Sequence, residues 1–251
     1  MAGKKGLDEM TESDIGLISV RGEARISVPP DSAELSGAIE TTADTKAAAL
    51  RVVAAALDEL TSDLAALGGL PLDVHTARGA LTWSARSAST SPEYTDKRTG
   101  EYAPTGRTMA SVSVLVIVRD LGLLDLLGDR LAASESYRLH QVSWQVDWDN
   151  PAWAQVRADA IRAAVAKARD YAATLGGHLS QIEHIADPGL LSAAASERWM
   201  SSGAGLARRA SMSGEAGWPD LDPVPQELSV LIDARLTTRG MTLGRGKESP
   251  G

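Results

Sequence analysis

The sequence predicts an α+β fold: a largely antiparallel sheet with about three packed helices. Three observations lead there. Stretches with a strict two-residue apolar rhythm recur along the chain, two long segments hold helical spacing instead, and the elements from Asp31 to Asp147 follow in a β-α-β-β-α-β order. A strand in front extends that order. Behind it come a long C-terminal helix and two further strands.

The opening ISVRGEARISV sets Ile18, Val20, Ala24, Ile26 and Val28 on one side, with Ser19, Arg21, Glu23, Arg25 and Ser27 on the other. Strand side chains point alternately to opposite faces, so this is a half-buried strand. Pro29 and Pro30 supply no amide hydrogen and end its ladder. The rhythm resumes through Ala33, Leu35, Gly37 and Ile39, a second strand. Asp44 to Leu67 reads as a helix, with Asp44 as N-cap and Gly68-Gly69 as its stop. Leu50, Val53, Leu57, Leu60, Leu64 and Leu67 form one apolar stripe on it. Burying that stripe on a sheet contributes about 1.5–3 kcal/mol per large side chain.

A strand is expected from Leu72 to Arg86, then a long polar hairpin loop over 87–106. ASVSVLVIVRD (110–120) is the strongest strand, and Val114 to Val118 is apolar on both faces, as for a central strand covered on both sides. Leu121 to Ala133 is a short leucine-rich helix. Tyr137 to Trp148 returns as a strand, with His140, Val142, Trp144 and Val146 on one side. The six elements from Asp31 onward give the split order of ferredoxin-like folds. Asn150 and Pro151 open the long helix as cap and first helical residue, and its alanine-rich face runs from Val156 to Leu175. Leu179 to Ala186 is a short strand. ELSVLIDARLTT (227–238) is the last, with Leu228, Val230, Ile232, Ala234 and Leu236 on one side.

One domain is expected over 17–238, between disordered segments at 1–16 and 239–251. Within it, 187–226 is a long irregular insertion of small and turn-forming residues, functional or mobile by its length. The net charge is −8 and no basic run exists, which argues against nucleic acid as a partner. There are no cysteines, so disulfides, thiolate nucleophiles and cysteine-ligated metals are excluded. Asp8, Glu9, Glu12 and Asp14 stand where a signal peptide needs its apolar region, and no stretch has the length and apolarity of a membrane span. The chain as given reads as cytoplasmic, with an envelope location as the alternative should the N-terminus be incomplete.

Four passages resemble one family. ISVRGEARISVPPDSAELSGAIET looks like an I-x-V-x-G-x-G-x-x-x-x-x-P-D-x-A start, with Ala24 at the second glycine. LDVHTARGALTW is similar to a D-I-x-T strand through Asp73, Val74 and Thr76, and ASVSVLVIVRDL to a V-x-V-x-V-R-D-L strand ending at Arg119, Asp120 and Leu121. AIRAAVAKARDYAATLGGHLSQI resembles a helix of alanines at four-residue steps followed by L-G-x-x-L-G-x-V. In order and spacing the set, over about 18–238, resembles the SIMPL-domain family, whose bacterial members include immunogenic envelope proteins and proteins linked to oxidative-stress defence. The resemblance implies an α+β fold and self-assembly into rings or larger closed particles. It carries over no catalytic residue.

The residues themselves supply little chemistry. His75, His140, His178 and His184 lack metal-site spacing, so no metal or cofactor is expected. Asp147, Asp149 and Asn150 imitate the start of a calcium loop but lack its glycine and terminal glutamate. GRGKES (244–249) fails the phosphate-loop pattern, and GAGLAR (203–208) lacks the third glycine of a dinucleotide fingerprint. RRAS, Arg208 to Ser211, has the look of a basophilic kinase site, which makes Ser211 a candidate phosphosite beside the plainer reading of two solvated arginines. Leu190, Leu191, Trp199, Met200 and Trp218 are costly to leave in water and are candidate interface residues. Two functions follow: a non-enzymatic, self-assembling scaffold or interaction module whose partner is itself, or a small-molecule binder or enzyme with a site built from distant residues.

Overall fold

The computed structural model describes residues 15–73, 75–97, 101–190, 210–211 and 221–241. The domain expected over 17–238 is built as two compact units. Of the described residues, 28–150, 210–211 and 221–226 form one, and 15–27, 151–190 and 227–241 the other.

The first unit is a sheet under two helices. Its strands are β2 (Ser32–Ala43), β3 (Leu70–Pro71), β4 (Leu81–Ala85), β5 (Ser89–Lys97), β6 (Glu101–Val118), β7 (Tyr137–Gln145) and β9 (Ala210–Ser211). They lie in the order β3-β4-β6-β2-β7-β9, with β5 also paired to β6. β2 runs antiparallel to β6 on one side and to β7 on the other. β4 is antiparallel to β6, so β2 and β4 are parallel, joined by the crossover helix α1 (Lys46–Ala66) with β6 inserted between them. That is the split order read from the sequence.

Leu35 and Ile39 of β2, Val112 to Val118 of β6 in alternation, Val53, Leu60 and Leu64 of α1, and Leu124, Leu127 and Leu131 of α2 (Leu124–Ala133) meet in one core. The stripe on α1 is narrower than its leucines suggest. Ala49 joins the buried set, while Leu50, Leu57 and Leu67 are only partly buried. Thr45, not Asp44, caps this helix, accepting from the amide of Ala48 at 3.2 Å. Its end follows the glycine pair: Gly68 has φ +80°, its amide reaches Ala65, and the amide of Gly69 reaches back to Leu64.

Four further expectations change in this unit. The strand from Leu72 to Arg86 is two short strands around a turn, because the Asp73 carboxylate accepts from the amides of His75 and Thr76 and folds the chain back. The loop over 87–106 is mostly ladder, with β5 pairing to β6 through threonines and serines that suit a strand without burial. Val114 to Val118 is not covered on both faces: Leu115 and Ile117 remain half-buried because the helices lie on one side. β7 carries a bulge at His140, opposite the Ser36–Gly37 step, which puts Tyr137 rather than His140 inward. Gly37 makes room for that ring, since a Cβ there would strike the Tyr137 hydroxyl and the carbonyl of Arg138.

The second unit is a three-stranded sheet, β1 (Ile15–Val28), β10 (Gln226–Arg239) and β8 (His178–Ala186), in the order β1-β10-β8. β8 and β10 are antiparallel. The contacts Gly16 to Thr238, Arg21 to Asp233 and Arg25 to Glu227 run in opposite senses, so β1 and β10 are antiparallel too. α3 (Ala152–Thr174) is internal in the chain, followed by β8 and β10. It buries Val156, Ala160, Ala164, Ala168 and Ala172, one residue per four. Gly176 (φ +75°) and Gly177 end it in the way that Gly68 and Gly69 end α1. Ile18, Val20, Ala234 and Leu236 face its alanines.

Gly22 is where strand and helix come closest. A Cβ there would collide with the carbonyl of Ala160, and would stand 2.6 Å from the amide of Ala164. Neither is a side chain that can swing aside. Gly22→Ala is therefore expected to cost about 1–3 kcal/mol of unfolding free energy, toward the upper end. A denaturation midpoint equal to that of the parent chain would show that the strand has room to spare.

Candidate functional site

Two polar constellations stand out, one in each unit. In the first, three of the motif passages, those holding Asp31, Ala77 and Arg119, are tied by side chains to each other or to the chain at 145–150. Asp31, just after the proline pair, accepts from the amide of Asp147 at 2.8 Å and from the Asn150 side-chain amide at 2.9 and 2.8 Å. Its own amide donates to the carbonyl of Gln145 at 2.8 Å. Arg119 donates to the Asp147 carboxylate at 2.6 Å and to the carbonyl of Ala77 at 3.2 Å. Asp120 accepts from the amide of Gly122 at 3.1 Å, starting the 3₁₀ turn over Leu121–Leu123. Arg78 pairs with Asp149 at 2.8 Å, and that bond holds the Asp149 carboxyl below its ordinary value. Asp73 is lowered as well, first by the His75 amide and then by that of Thr76.

Each charged group here bonds a neighbouring turn, a strand end or an opposite charge, while Arg78 and Asp149 keep most of their side-chain surface in solvent. Asp147, Asp149 and Asn150, which imitate the start of a calcium loop, are bonded to Arg119, Arg78 and Asp31 respectively. Among the described residues no three of His, Asp and Glu gather where a metal could be held.

The family model for SIMPL, described as a protein of unknown function (DUF541), matches residues 18–236. The chain belongs to the SIMPL family. No curated protein matches it. The SIMPL motif residues are now placed: the P-D step supplies Asp31, the D-x-x-T passage folds the Asp73 turn, and the R-D-L ending supplies Arg119 and Asp120. The opening glycine, Gly22, lets β1 touch α3.

The second constellation lies on the face of the three-stranded sheet turned away from α3. Arg21 grips Asp233 with two bonds, 2.7 and 3.0 Å, and the amide of Gly189 adds a third at 3.1 Å. The Asp233 carboxyl is lowered chiefly by the Arg21 bond. Beside this pair lies an open depression of about 420 Å³, lined by Ser19, Val20, Arg21, Gly189, Asp233, Ala234 and Arg235. Alternation alone puts Arg21, Asp233 and Arg235 on polar faces, but which strand lies beside which is a tertiary fact that the sequence left open.

Of the predicted interface residues, Leu190 is described and is 64% exposed. Leu191, Trp199, Met200 and Trp218 lie outside the described residues, as do Arg208 and the GRGKES segment. Ser211 sits in β9, paired with Gln141 of β7. All four histidines are exposed.

Asp31→Ala leaves the Asp147 amide without its acceptor, and is expected to cost about 1–3 kcal/mol. Asp31→Asn, which keeps an acceptor oxygen, should recover part of the loss. An Asp31→Ala chain as stable as the parent in urea would deny the junction its structural role.

The acid response has a definite sign. Asp73, Asp149 and Asp233 are all depressed below the ordinary 3.8, so their stabilisation is present above that value and disappears as pH falls through their lower folded values. The melting temperature should begin to fall near pH 4 and drop further toward pH 2. Asp233→Asn should show a smaller drop than the parent chain, and an equal drop would remove Asp233 from the account.

Proposed function

We propose that this SIMPL protein is a non-enzymatic, self-assembling scaffold or interaction module. The observation that carries the reading is the pair of free sheet edges in the second unit. Among the described residues β10 is paired on both sides, so β1 and β8 are the edges. An unpaired edge presents a row of amides and carbonyls to another chain, and native proteins either block it or use it.

β8 is the less guarded edge. Ile182 is 50% exposed and Ile185 40%, and the strand contains neither lysine nor proline. On β1, Arg25 is engaged with Glu23 and Glu227, and Pro29 and Pro30 stop the ladder. The charged groups of the first unit support the same reading, because each of them bonds a turn, a strand end or an opposite charge. The alternative, a small-molecule binder, is favoured by the depression beside Arg21 and Asp233.

Light scattering on the purified chain at micromolar concentration tests the proposal. The expected mass is a multiple of 26.3 kDa. Ile182→Lys, which places a charge on the β8 edge at a half-exposed position, should lower that mass while leaving the melting temperature of the separated chains unchanged. A monomer at every pH and salt concentration would end the assembly reading.

A further inference from the structure

We propose that the depression on the open face of the three-stranded sheet binds a small oxyanion, a carboxylate or a phosphate group, through Arg235. Arg235 lines the depression, yet its Nε is buried and has no hydrogen-bond partner among the described residues. A guanidinium has five N–H donors in a rigid fork, and a buried N–H without an acceptor is expensive enough to need an explanation.

The nearest carboxylate does not supply one. Asp233, two residues earlier on the same face of β10, is held by both bonds from Arg21 and by the Gly189 amide. The depression therefore gathers two guanidiniums against one carboxylate. That leaves a net positive charge at this spot in a chain whose overall charge is −8.

The neighbours suit the same ligand. Ser19, two residues before Arg21 on β1, brings a hydroxyl to the depression, and His184 of β8 stands directly across the ladder from Arg235. Once the side chain turns its Nε toward the depression, a planar oxyanion meeting the edge of the fork accepts from Nε and a terminal nitrogen together, which a lysine could not offer. The Arg21–Asp233 bonds hold β1 against β10, and so fix the floor on which the ligand rests. The site is open, so the affinity expected from one guanidinium and one hydroxyl is weak, with a dissociation constant on the order of 1 mM. The proposal does not depend on self-assembly.

Isothermal titration of the full chain with inorganic phosphate, and separately with acetate, at an ionic strength fixed with chloride, tests it. Saturable binding of at least one of the two is expected, and which one binds assigns the ligand class. Arg235→Gln should weaken binding about tenfold or more, the loss of a charge-assisted pair. Arg25→Gln, on the same face of β1 but outside the depression, should leave it unchanged. Arg235→Lys covers the case in which the glutamine variant does not fold: it keeps the charge, loses the fork, and should bind several-fold more weakly. No saturable heat with either anion would overturn the proposal, and so would affinity unchanged in Arg235→Gln. Loss of assembled mass in Arg235→Gln without anion binding by the parent chain would also overturn it, by showing that Arg235 meets a second copy.

Discussion

The first unit depends on one carboxylate. Asp31 follows two prolines that cannot donate to any ladder, and at that point the chain must start β2 beside the far end of β7. Its side chain accepts the amide of Asp147 and the side-chain amide of Asn150, while its backbone donates to Gln145. Those bonds align Ser32 with Gln145, and with that register Leu35 and Ile39 face the helices. A slip of one residue would turn every core side chain of β2 to the opposite face. Because β6 takes its register from β2, and β4 from β6, the alignment passes across the sheet.

The second unit is governed by closeness instead. Its helix buries four alanines and one valine, which give little apolar area per residue. Such a face stabilises only if the neighbouring backbone comes near, since dispersion fades within an ångström of separation. Gly22 permits that approach, and the edge of the sheet is then held by Arg21 on Asp233. The SIMPL motifs are thus accounted for by packing and turn chemistry. In the second unit the surface that packing leaves over, among the described residues, includes two strand edges and a depression lined by Arg21 and Arg235.

Much of the fold was legible because it rests on periodicity. The alternation in 18–28 and 227–238 and the alanine spacing of α3 translate directly into faces, and the glycine pairs at 68–69 and 176–177 into helix ends. The failures have local causes. Asp73 and Thr76 lie in a stretch that could be a strand, but their side chains bond nearby backbone and make a turn. The segment 89–97 is polar enough to look like a loop, yet a hairpin partner pairs its backbone while most side chains of 89–95 stay exposed. The site was less legible than the fold. Nothing in RGEAR or LIDARL indicates that Arg21 meets Asp233 while the Nε of Arg235 finds no acceptor among the described residues, because that asymmetry arises only when two strands 212 residues apart are laid side by side.

Native-state hydrogen exchange at the Asp147 amide tests the central claim most directly. If Asp31 sets the register of the sheet, that amide should exchange only when the sheet opens. Its opening free energy and denaturant dependence should then match those of the β2 and β6 ladder. Rapid exchange at Asp147, with the β2 and β6 amides still fully protected, would contradict the account: the sheet would then hold its register without the carboxylate.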